Sequence, residues 1–269
     1  LIAVIIVVPL WNIVISSFSS GKALAEGGFV FFPKEYSLEN YRTVLRDSSI
    51  WKSYLISIAK TVIGVITHLF FCSMVAFAMS KQYLRGRKLY TAMGVITMFF
   101  SGGMIPTYLL MKNLGLLNNF MVYILPQLFS YYDMVILMNF FRQVPPSLEE
   151  SAQIDGAGVW TVFLRIILPL SKPALATIAL FNGVYQWNDF MTAKLYVTNK
   201  DLYPVQMKLY EIIVQQQTQT MSVGSFVMET TTKGVQLATI VITTVPIVIV
   251  YPMLQKHFVS GMMLGAVKE

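Results

Sequence analysis

The sequence predicts an all-α polytopic membrane protein with six transmembrane helices, a fold class supported by its composition, its hydropathy and its apolar windows. Of its 269 residues, 55% are hydrophobic and 12% are charged, whereas soluble domains carry about a quarter charged residues. The mean hydropathy is +0.62, and a soluble domain of this size cannot bury so many apolar side chains in one core. The composition excludes a disordered chain, a secreted disulfide scaffold and a nucleic-acid-binding domain.

Six apolar windows are long enough to cross a bilayer as helices, which takes about 20 residues each. They are residues 1–18, 54–79, 90–111, 121–141, 173–195 and 236–257. Proline or paired glycine interrupts the third, fourth and sixth windows, at Gly102, Gly103, Pro106, Pro126, Pro246 and Pro252. Such breaks free backbone carbonyls that a neighbouring helix or a wet cavity must satisfy, as in a transporter. Alternatively, proline and glycine are simply commoner in membrane helices.

The first window begins at Leu1 without a charged leader. We therefore expect that further residues precede it. A cleaved signal peptide is the alternative, because Ala23-Leu24-Ala25 resembles a cleavage site. The sequence lacks the basic region that precedes the apolar part of such a peptide.

Orientation follows from the basic linker after the second window. Four of its residues are basic, namely Lys81, Arg85, Arg87 and Lys88. The positive-inside rule assigns this linker to the cytoplasm. Alternation of the spans then puts the polar segment 145–170 in the cytoplasm and the segment 196–235 outside. The net charge of +7 is accordingly attributed to topology rather than to an acidic partner.

The sequence gives no basis for metal, redox or hydrolytic chemistry. Cys72 is the single cysteine, and His68 and His257 are the two histidines. One thiol forms no internal disulfide, and so few ligands do not build a zinc site. No zinc-protease pattern and no serine-hydrolase elbow occurs in the sequence. No catalytic residue and no metal ligand is therefore predicted.

The polar cytoplasmic segment predicts a short helix at its beginning. Pro145 and Pro146 precede Ser147, a typical N-cap residue. Glu150 lies three residues after Ser147, which predicts a capping box. The helix is expected over 148–154.

A turn and a second helix are expected to follow. Gly156 can adopt the left-handed conformation that ends a helix. The second helix is predicted over 159–168 and is broken by Pro169. The segment is therefore predicted to form a helix-turn-helix with a glycine at its exposed corner.

Seven positions of this segment have a recognisable spacing: Glu150, Ser151, Ala152, Gly156, Ile166, Leu168 and Pro169. The spacing resembles the EAA loop of ABC importer permeases, in which Glu-Ala-Ala, three residues, Gly, nine residues and Ile-any-Leu-Pro follow one another. Serine replaces the first alanine here, a small change that leaves the spacing intact.

Three further runs extend the resemblance: Asp155-Gly156-Ala157, Trp187-Asn188-Asp189-Phe190 and the ending LQKHFVSGMMLGAVKE. Together they are similar to carbohydrate permeases of the maltose-permease type, and among these to the polysaccharide and rhamnogalacturonan-type sugar permeases. The resemblance implies that residues 1–269 form one ABC importer transmembrane domain, multi-pass in the bacterial cell membrane. It implies import of oligosaccharides. A non-carbohydrate solute is the alternative, because other importers share the EAA loop.

In this family the EAA helix docks in a cleft of the ATP-hydrolysing subunit. The resemblance therefore implies three partners: a second homologous permease, an ABC ATPase dimer and an extracytoplasmic solute-binding protein. No Walker A pattern occurs in the sequence, so we expect ATP and Mg to bind to the ATPase and no cofactor to bind to this chain. Glu150 and Asp155 offer acidic contacts to the ATPase, and Gly156 allows close backbone approach.

The fifth window holds candidates for the sugar path. They are Asn182, Tyr185, Gln186, Trp187, Asn188 and Asp189. Amides beside aromatic rings are suited to bind sugars, and polar groups at membrane depth are usually functional. Packing between helices is an equal alternative, and Asp189 is also placed to pair with Lys194. Lys60, in the second window, is expected to snorkel to the interface.

The segment 196–235 is expected to be an extracytoplasmic loop. It contains the polar run VQQQTQTMSVGS. The resemblance implies that this region contacts the solute-binding protein, and a solvated loop is the alternative. An intramembrane enzyme would need a catalytic set that the windows lack, and a receptor or scaffold would not need the EAA spacing.

Overall fold

The computed structural model describes residues 2–25, 28–33, 35–221, 233–250 and 252. Over these residues the secondary structure consists of helices, with one isolated β-bridge between Ser19 and Tyr36. The all-α prediction is confirmed for this part of the chain. The C-terminal ending quoted above, and the part of the polar run from residue 222 onward, lie outside the described residues.

The elements follow one another along the chain in a simple order. They are α1 (Ile2–Ser17), α2 (Gly21–Ala25), α3 (Glu39–Arg46), α4 (Ser48–Ser80), α5 (Arg87–Phe99), α6 (Met104–Asn113), a 3-10 segment (Phe120–Gln127), α7 (Tyr131–Phe141), α8 (Pro146–Ile154), α9 (Val159–Leu170), α10 (Lys172–Asn188), α11 (Met191–Tyr196), a 3-10 turn (Lys200–Leu202), α12 (Val205–Met221) and α13 (Lys233–Val250).

Two helices, α4 and α13, are each long and apolar enough to cross a membrane alone. Three bent pairs qualify when each pair is taken as one span. They are α5 with α6, bent by 114°, the 3-10 segment with α7, bent by 50°, and α9 with α10, bent by 79°. Helix α1 is apolar but has 16 residues, fewer than the roughly 20 of a full span. The described residues therefore hold up to five spans and one short apolar helix.

The break in the third window comes from glycine. Helix α5 ends at Phe99, and Gly103, with φ of 87°, precedes α6. Pro106 lies in the first turn of α6, where the missing N–H costs no intrahelical bond. In the sixth window the expected interruption at Pro246 is wrong, because this residue lies inside the continuous helix α13.

Contacts divide the chain into two units. The first unit is Leu1–Ile58 with Asn188–Ile249, and the second is Ala59–Trp187 with Val250–Glu269. Each unit has its own apolar core.

The first unit joins α3 to the end of α1 through a buried amide. Asn40 Nδ2 donates hydrogen bonds to the carbonyls of Ser17 and Ser19 at 3.3 and 3.1 Å. A Cβ atom at Gly234, at the start of α13, would lie 2.4 Å from Asn40 Oδ1. The absence of a side chain at this glycine therefore lets α13 approach α3 closely.

Helix α12 lies within the segment 196–235, which was predicted as an extracytoplasmic loop without a helix of its own. Seventeen of these residues, Val205–Met221, are helical. The Val205 N–H donates to the buried Ser57 hydroxyl at 2.8 Å and anchors the start of the helix. Glutamine and methionine recur in this run, which also holds Lys208, Leu209 and Glu211, and these residue types favour a helix even where it is polar.

The core of the second unit is formed by α4, α7, α9 and α10. Its buried residues are Cys72, Ala76, Phe77, Met79, Met134, Leu137, Phe141, Val162, Phe163, Ile167, Ala174 and Ile178. Outside it, large apolar side chains are exposed, such as Phe99 and Phe100 at 77% and 76%. An apolar surface of this extent is suited to lipid or to another subunit.

Candidate functional site

Helix α8 starts earlier than the sequence predicts. It begins at Pro146, with Pro145 as N-cap and no side-chain cap bond. The Leu148 N–H bonds to the Pro145 carbonyl at 3.1 Å, so Ser147 lies inside the first turn. The predicted capping box of Ser147 with Glu150 is therefore wrong. Proline at the first helical position has its φ already set for a helix, which moves the start forward.

The end of α8 is a Schellman motif. Gly156 has φ of 82°, a conformation that costs a residue with a Cβ about 1–2 kcal/mol. Its N–H bonds to the Gln153 carbonyl at 3.0 Å, and the Ala157 N–H bonds to the Ala152 carbonyl at 2.8 Å. These two bonds satisfy carbonyls that the helix end would otherwise leave free. Glycine is thus the residue that this corner requires.

Helix α8 has an inner and an outer face. Glu149 and Ala152 are partly buried, and Ala152 packs against the core of the second unit. Glu150 and Ile154 lie one turn apart on the other face, and Ile154 is 85% exposed. Ser151 and Asp155 are exposed as well. The outer face therefore presents carboxylates beside an apolar side chain, a combination suited to contact another protein.

Helix α9 bends into α10 at Ser171. It contains a π-helical turn at Phe163–Ile167. Pro169 lies inside the last turn, because the Ser171 N–H still bonds to the Ile167 and Leu168 carbonyls at 3.0 and 3.2 Å. The predicted end at Leu168 is therefore wrong by two residues. The motif residues Ile166 and Leu168 are half-buried against the core, and Pro169 is exposed.

A buried polar network lies in the second unit. His68, on α4, is 2% exposed, with Nδ1 2.7 Å from the Gln127 carbonyl oxygen and Nε2 3.0 Å from Asp133 Oδ2. A carbonyl only accepts, so Nδ1 donates, and Nε2 shares a proton with the carboxyl group. Cys72 Sγ accepts the Ser130 N–H at 3.5 Å and donates to its carbonyl at 3.7 Å. Helix α4 thus satisfies polar groups at the break before α7.

Lys60 is enclosed by the second unit. Its side chain has no exposed surface, and Nζ lies 4.9 Å from the centroid of the Tyr123 ring. The expectation that it snorkels is wrong, because the aromatic ring and the neighbouring helices cover it. Gln186 Nε2 donates to the Tyr123 carbonyl at 3.2 Å. A Cβ atom at Gly64 would lie 2.8 Å from that nitrogen, so α4 approaches α10 closely here.

The structure brings some of the sugar-path candidates together. Asn182 and Gln186 share one face of α10 and are 6% and 1% exposed. Within the described residues, Asn182 Oδ1 has no hydrogen-bond partner. Trp187 is also buried, whereas Tyr185 is 51% exposed and its hydroxyl accepts from Gln127 Nε2 at 3.2 Å.

Asn188 and Asp189 belong to the first unit. Asp189 Oδ1 accepts the Thr192 N–H at 3.1 Å and begins the next helix. Lys194 Nζ donates to the Tyr210 hydroxyl at 2.7 Å and lies 4.5 Å from the centroid of its ring.

A family model matches residues 73–264, and it describes the inner membrane component of binding-protein-dependent transport systems. The chain belongs to that family. This permease is 41% identical over 271 residues to the polygalacturonan/rhamnogalacturonan transport system permease YtcP of Bacillus subtilis, covering 99% of this chain and 94% of the relative. It is 42% identical to the protein LplC of the same organism, and the match covers 99% of this chain and 91% of LplC.

A solved structure is similar over nearly the whole chain. It is a crystal structure of a bacterial ABC transporter involved in the import of the acidic polysaccharide alginate. The identity is 35%, the TM-score is 0.86, and the match covers 96% of this permease and 92% of that chain. This permease is accordingly an integral membrane subunit of a transport system that depends on a binding protein.

The pairing of His68 with Asp133 is not among the contacts predicted from the sequence. The available signal is the presence of ionisable residues inside apolar windows, which is costly and usually functional. Glu149, which lies beside the EAA glutamate, is likewise not among the predicted site residues. Among the described residues, no group of three or more His, Cys, Asp or Glu side chains could hold a metal ion.

Proposed function

We propose that this permease forms half of the translocation pathway of an ATP-driven importer of oligosaccharides. A second homologous permease forms the other half, and an extracytoplasmic binding protein delivers the sugar. An ABC ATPase dimer binds ATP and Mg and supplies the energy. The observation that carries the proposal is the exposed corner of α8, Gly156 and α9, on which the EAA spacing lies.

The outer face of α8 docks on the ATPase in this proposal. The carboxylates of Glu150 and Asp155 pair with basic groups there, and Ile154 supplies an apolar contact. Apart from Gly156 itself and its two chain neighbours, no described atom lies within 4 Å of the place where a Cβ of Gly156 would be. The corner therefore leaves room for the backbone of a partner to approach.

The proposed topology has six spans. Helices α1, α4 and α13 supply three of them, and α5 with α6 and the 3-10 segment with α7 supply two bent ones. Helix α10 with α11 supplies the fifth in chain order. Helices α8 and α9 then lie on the cytoplasmic side, as does the basic linker with Arg85 and Arg87.

Acidic oligosaccharides are the first substrate class to test. One relative named above, YtcP, is a polygalacturonan/rhamnogalacturonan transport system permease, and the solved structure is of a transporter involved in the import of alginate, an acidic polysaccharide. In this permease the buried amides of Asn182 and Gln186 share one helix face, and Gln186 Nε2 donates to the Tyr123 carbonyl. Side-chain amides are suited to hydrogen-bond with sugar hydroxyls.

ATP hydrolysis by the reconstituted complex tests the proposal. The complex of both permeases and the ATPase is placed in lipid vesicles, and binding protein is added alone or with neutral or acidic oligosaccharides. We expect the sugar-loaded binding protein to stimulate hydrolysis above the level with sugar-free binding protein. If an intact complex responds to no oligosaccharide, the carbohydrate assignment is wrong and the substrate is another solute.

A further inference from the structure

An ion pair joins the inner face of α8 to the end of α4. Lys81, the residue after α4, pairs through Nζ with Glu149 Oε2. The two side chains are 16% and 19% exposed, although they are 68 positions apart in the sequence. Lys81 Nζ also lies 4.3 Å from the centroid of the Phe77 ring.

The surroundings of this pair strengthen its attraction. Phe77 packs against Phe163 of α9, with ring centroids 5.2 Å apart, and both belong to the apolar core of the second unit. Attraction between charges increases where apolar groups replace water. Removal of one partner would also leave the other charge partly buried and unpaired, which is destabilising. The pair is therefore stronger than an ordinary surface salt bridge.

The two faces of α8 have different neighbours. Glu150 is exposed on the outer face, whereas Glu149 is turned toward α4. Arg142 Nη2 donates to the Met79 carbonyl at 3.4 Å, which adds a second polar contact at the same end of α4. One face of α8 is thus free for a partner while the other is attached to a membrane span.

Helix α4 connects this attachment to the polar network. It is continuous from Ser48–Ser80, and Gly64 contacts Gln186 in its middle part. Sixteen residues at 1.5 Å each place Gly64 about 24 Å from Ser80 along the helix axis. A displacement of the end of α4 therefore also moves the face that holds His68 and Lys60.

We infer that Lys81 and Glu149 are positioning residues that fix α8 to α4, so that a movement of α8 by the ATPase moves α4. The inference rests on the proposed function. It assigns separate tasks to adjacent glutamates: Glu150 contacts the ATPase, and Glu149 transmits its movement to the span. Loss of the pair then separates ATP hydrolysis from sugar movement, because α8 still docks through its outer face.

The experiment compares four variants of the complete importer in proteoliposomes. They are Lys81→Met, Glu149→Gln, the reversed pair Lys81→Glu with Glu149→Lys, and the control Lys88→Met. Lys88 is an exposed lysine of the same linker. Sugar uptake and ATP hydrolysis are measured on the same vesicles, and the ratio of uptake to hydrolysis is the readout.

We expect each single change at the pair to lower this ratio at least about fivefold, the lower range of coupling between linked sites. The reversed pair restores the ratio to within about twofold of the wild type, and Lys88→Met leaves it unchanged. Two results would overturn the inference: an unchanged ratio in the single variants, whether or not both activities fall in proportion, or no recovery in the reversed pair. If one single variant fails to assemble, the variant of the other partner provides the comparison, and Lys81→Arg and Glu149→Asp, which keep the charges, are expected to retain the wild-type ratio.

A second readout does not depend on transport. A carbodiimide joins a carboxylate to an amine that touches it, so we expect an amide between Glu149 and Lys81 in peptides of the assembled wild-type complex. Its absence would overturn the inference even if the importer is active. A wild-type complex that shows this cross-link but takes up no sugar would instead contradict the proposed function.

Discussion

The corner between α8 and α9 and the polar network around His68 are built in opposite ways. The corner uses contacts between near neighbours, such as the bond from the Ala157 N–H to the Ala152 carbonyl. The network joins His68 to groups 59 and 65 positions away, in Gln127 and Asp133. Local contacts leave a pattern of fixed spacing in the sequence, whereas distant contacts do not. One region is exposed and suited to a partner, and the other holds the bent spans together.

The first prediction breaks the corner. Gly156→Val forces a β-branched residue into a left-handed conformation that glycine alone adopts without cost. We expect sugar uptake by the reconstituted importer to fall at least about a hundredfold, within the range of coupling between sites.

Gly156→Asn is the matched control, because asparagine tolerates this conformation better than other residues with a side chain. We expect it to retain more uptake than the valine variant. Wild-type uptake by Gly156→Val would contradict the role of this corner in coupling.

The second prediction breaks the interior network. His68→Ala leaves the Asp133 carboxyl without its imidazole partner in a site where its side chain is 16% exposed. Breaking one side of a buried pair costs about 3–5 kcal/mol. Thermal unfolding of the purified complex measures the loss, and we expect uptake to fall only as far as the folded fraction falls.

The double variant His68→Leu with Asp133→Leu sharpens the comparison. Removing both polar groups costs less than removing one, because no buried charge remains unpaired. If the double variant is as unstable as the sum of the single variants, the two residues do not act as a pair.

The third prediction concerns packing of the bent spans. A Cβ atom at Gly94 of α5 would lie 1.9 Å from the ring of Tyr131 on α7. Gly94→Ala therefore displaces the ring and costs about 1–3 kcal/mol. Gly183→Ala is the control, since its Cβ would lie 3.6 Å from Val65, an ordinary contact. Equal unfolding temperatures for the two variants would contradict this account of α5 and α7.

The fourth and smallest effect concerns the start of α4. Partial burial raises the pKa of the Asp47 carboxyl, but hydrogen bonds from Ser49 and the charge of Lys208 outweigh it, so the pKa lies below its usual range. The Ser49 N–H donates to Asp47 Oδ1 at 2.8 Å, and Asp47→Ala removes this cap at a cost of about 1 kcal/mol.

The pH dependence of this cap follows from the lowered pKa. The contribution of the Asp47 cap to the free energy of unfolding is complete above about pH 3.9, the pKa of aspartate in the unfolded chain. It is lost as the pH falls through the lower pKa of Asp47 in the folded protein. The difference in unfolding temperature between wild type and Asp47→Ala should therefore shrink below about pH 4. A constant difference down to the lowest usable pH would contradict the assignment.

The sequence was sufficient where structure depends on composition or on local spacing. An all-α membrane protein follows from the apolar composition, and the left-handed Gly156 follows from its place after a short helix. The start of α8 was misplaced because Pro146 at the first helical position replaces the expected Ser147 cap. Helix α12 was missed because its polar sequence has no amphipathic pattern, although its residues favour a helix.

The interior could not be predicted, because its partners are brought together by the bends of the spans. Lys60 was expected at the interface, but the Tyr123 ring covers it. The pairing of His68 with Asp133 depends on the break at Ser130, which positions α7 against α4. No spacing along the chain encodes that contact.

Uptake of labelled galacturonate oligomers by proteoliposomes of the complete importer tests the central claim most directly. The account predicts accumulation of the sugar that requires ATP, the binding protein and Gly156, and that the Gly156→Val variant abolishes. An intact complex that hydrolyses ATP but accumulates neither acidic nor neutral oligosaccharides would contradict it.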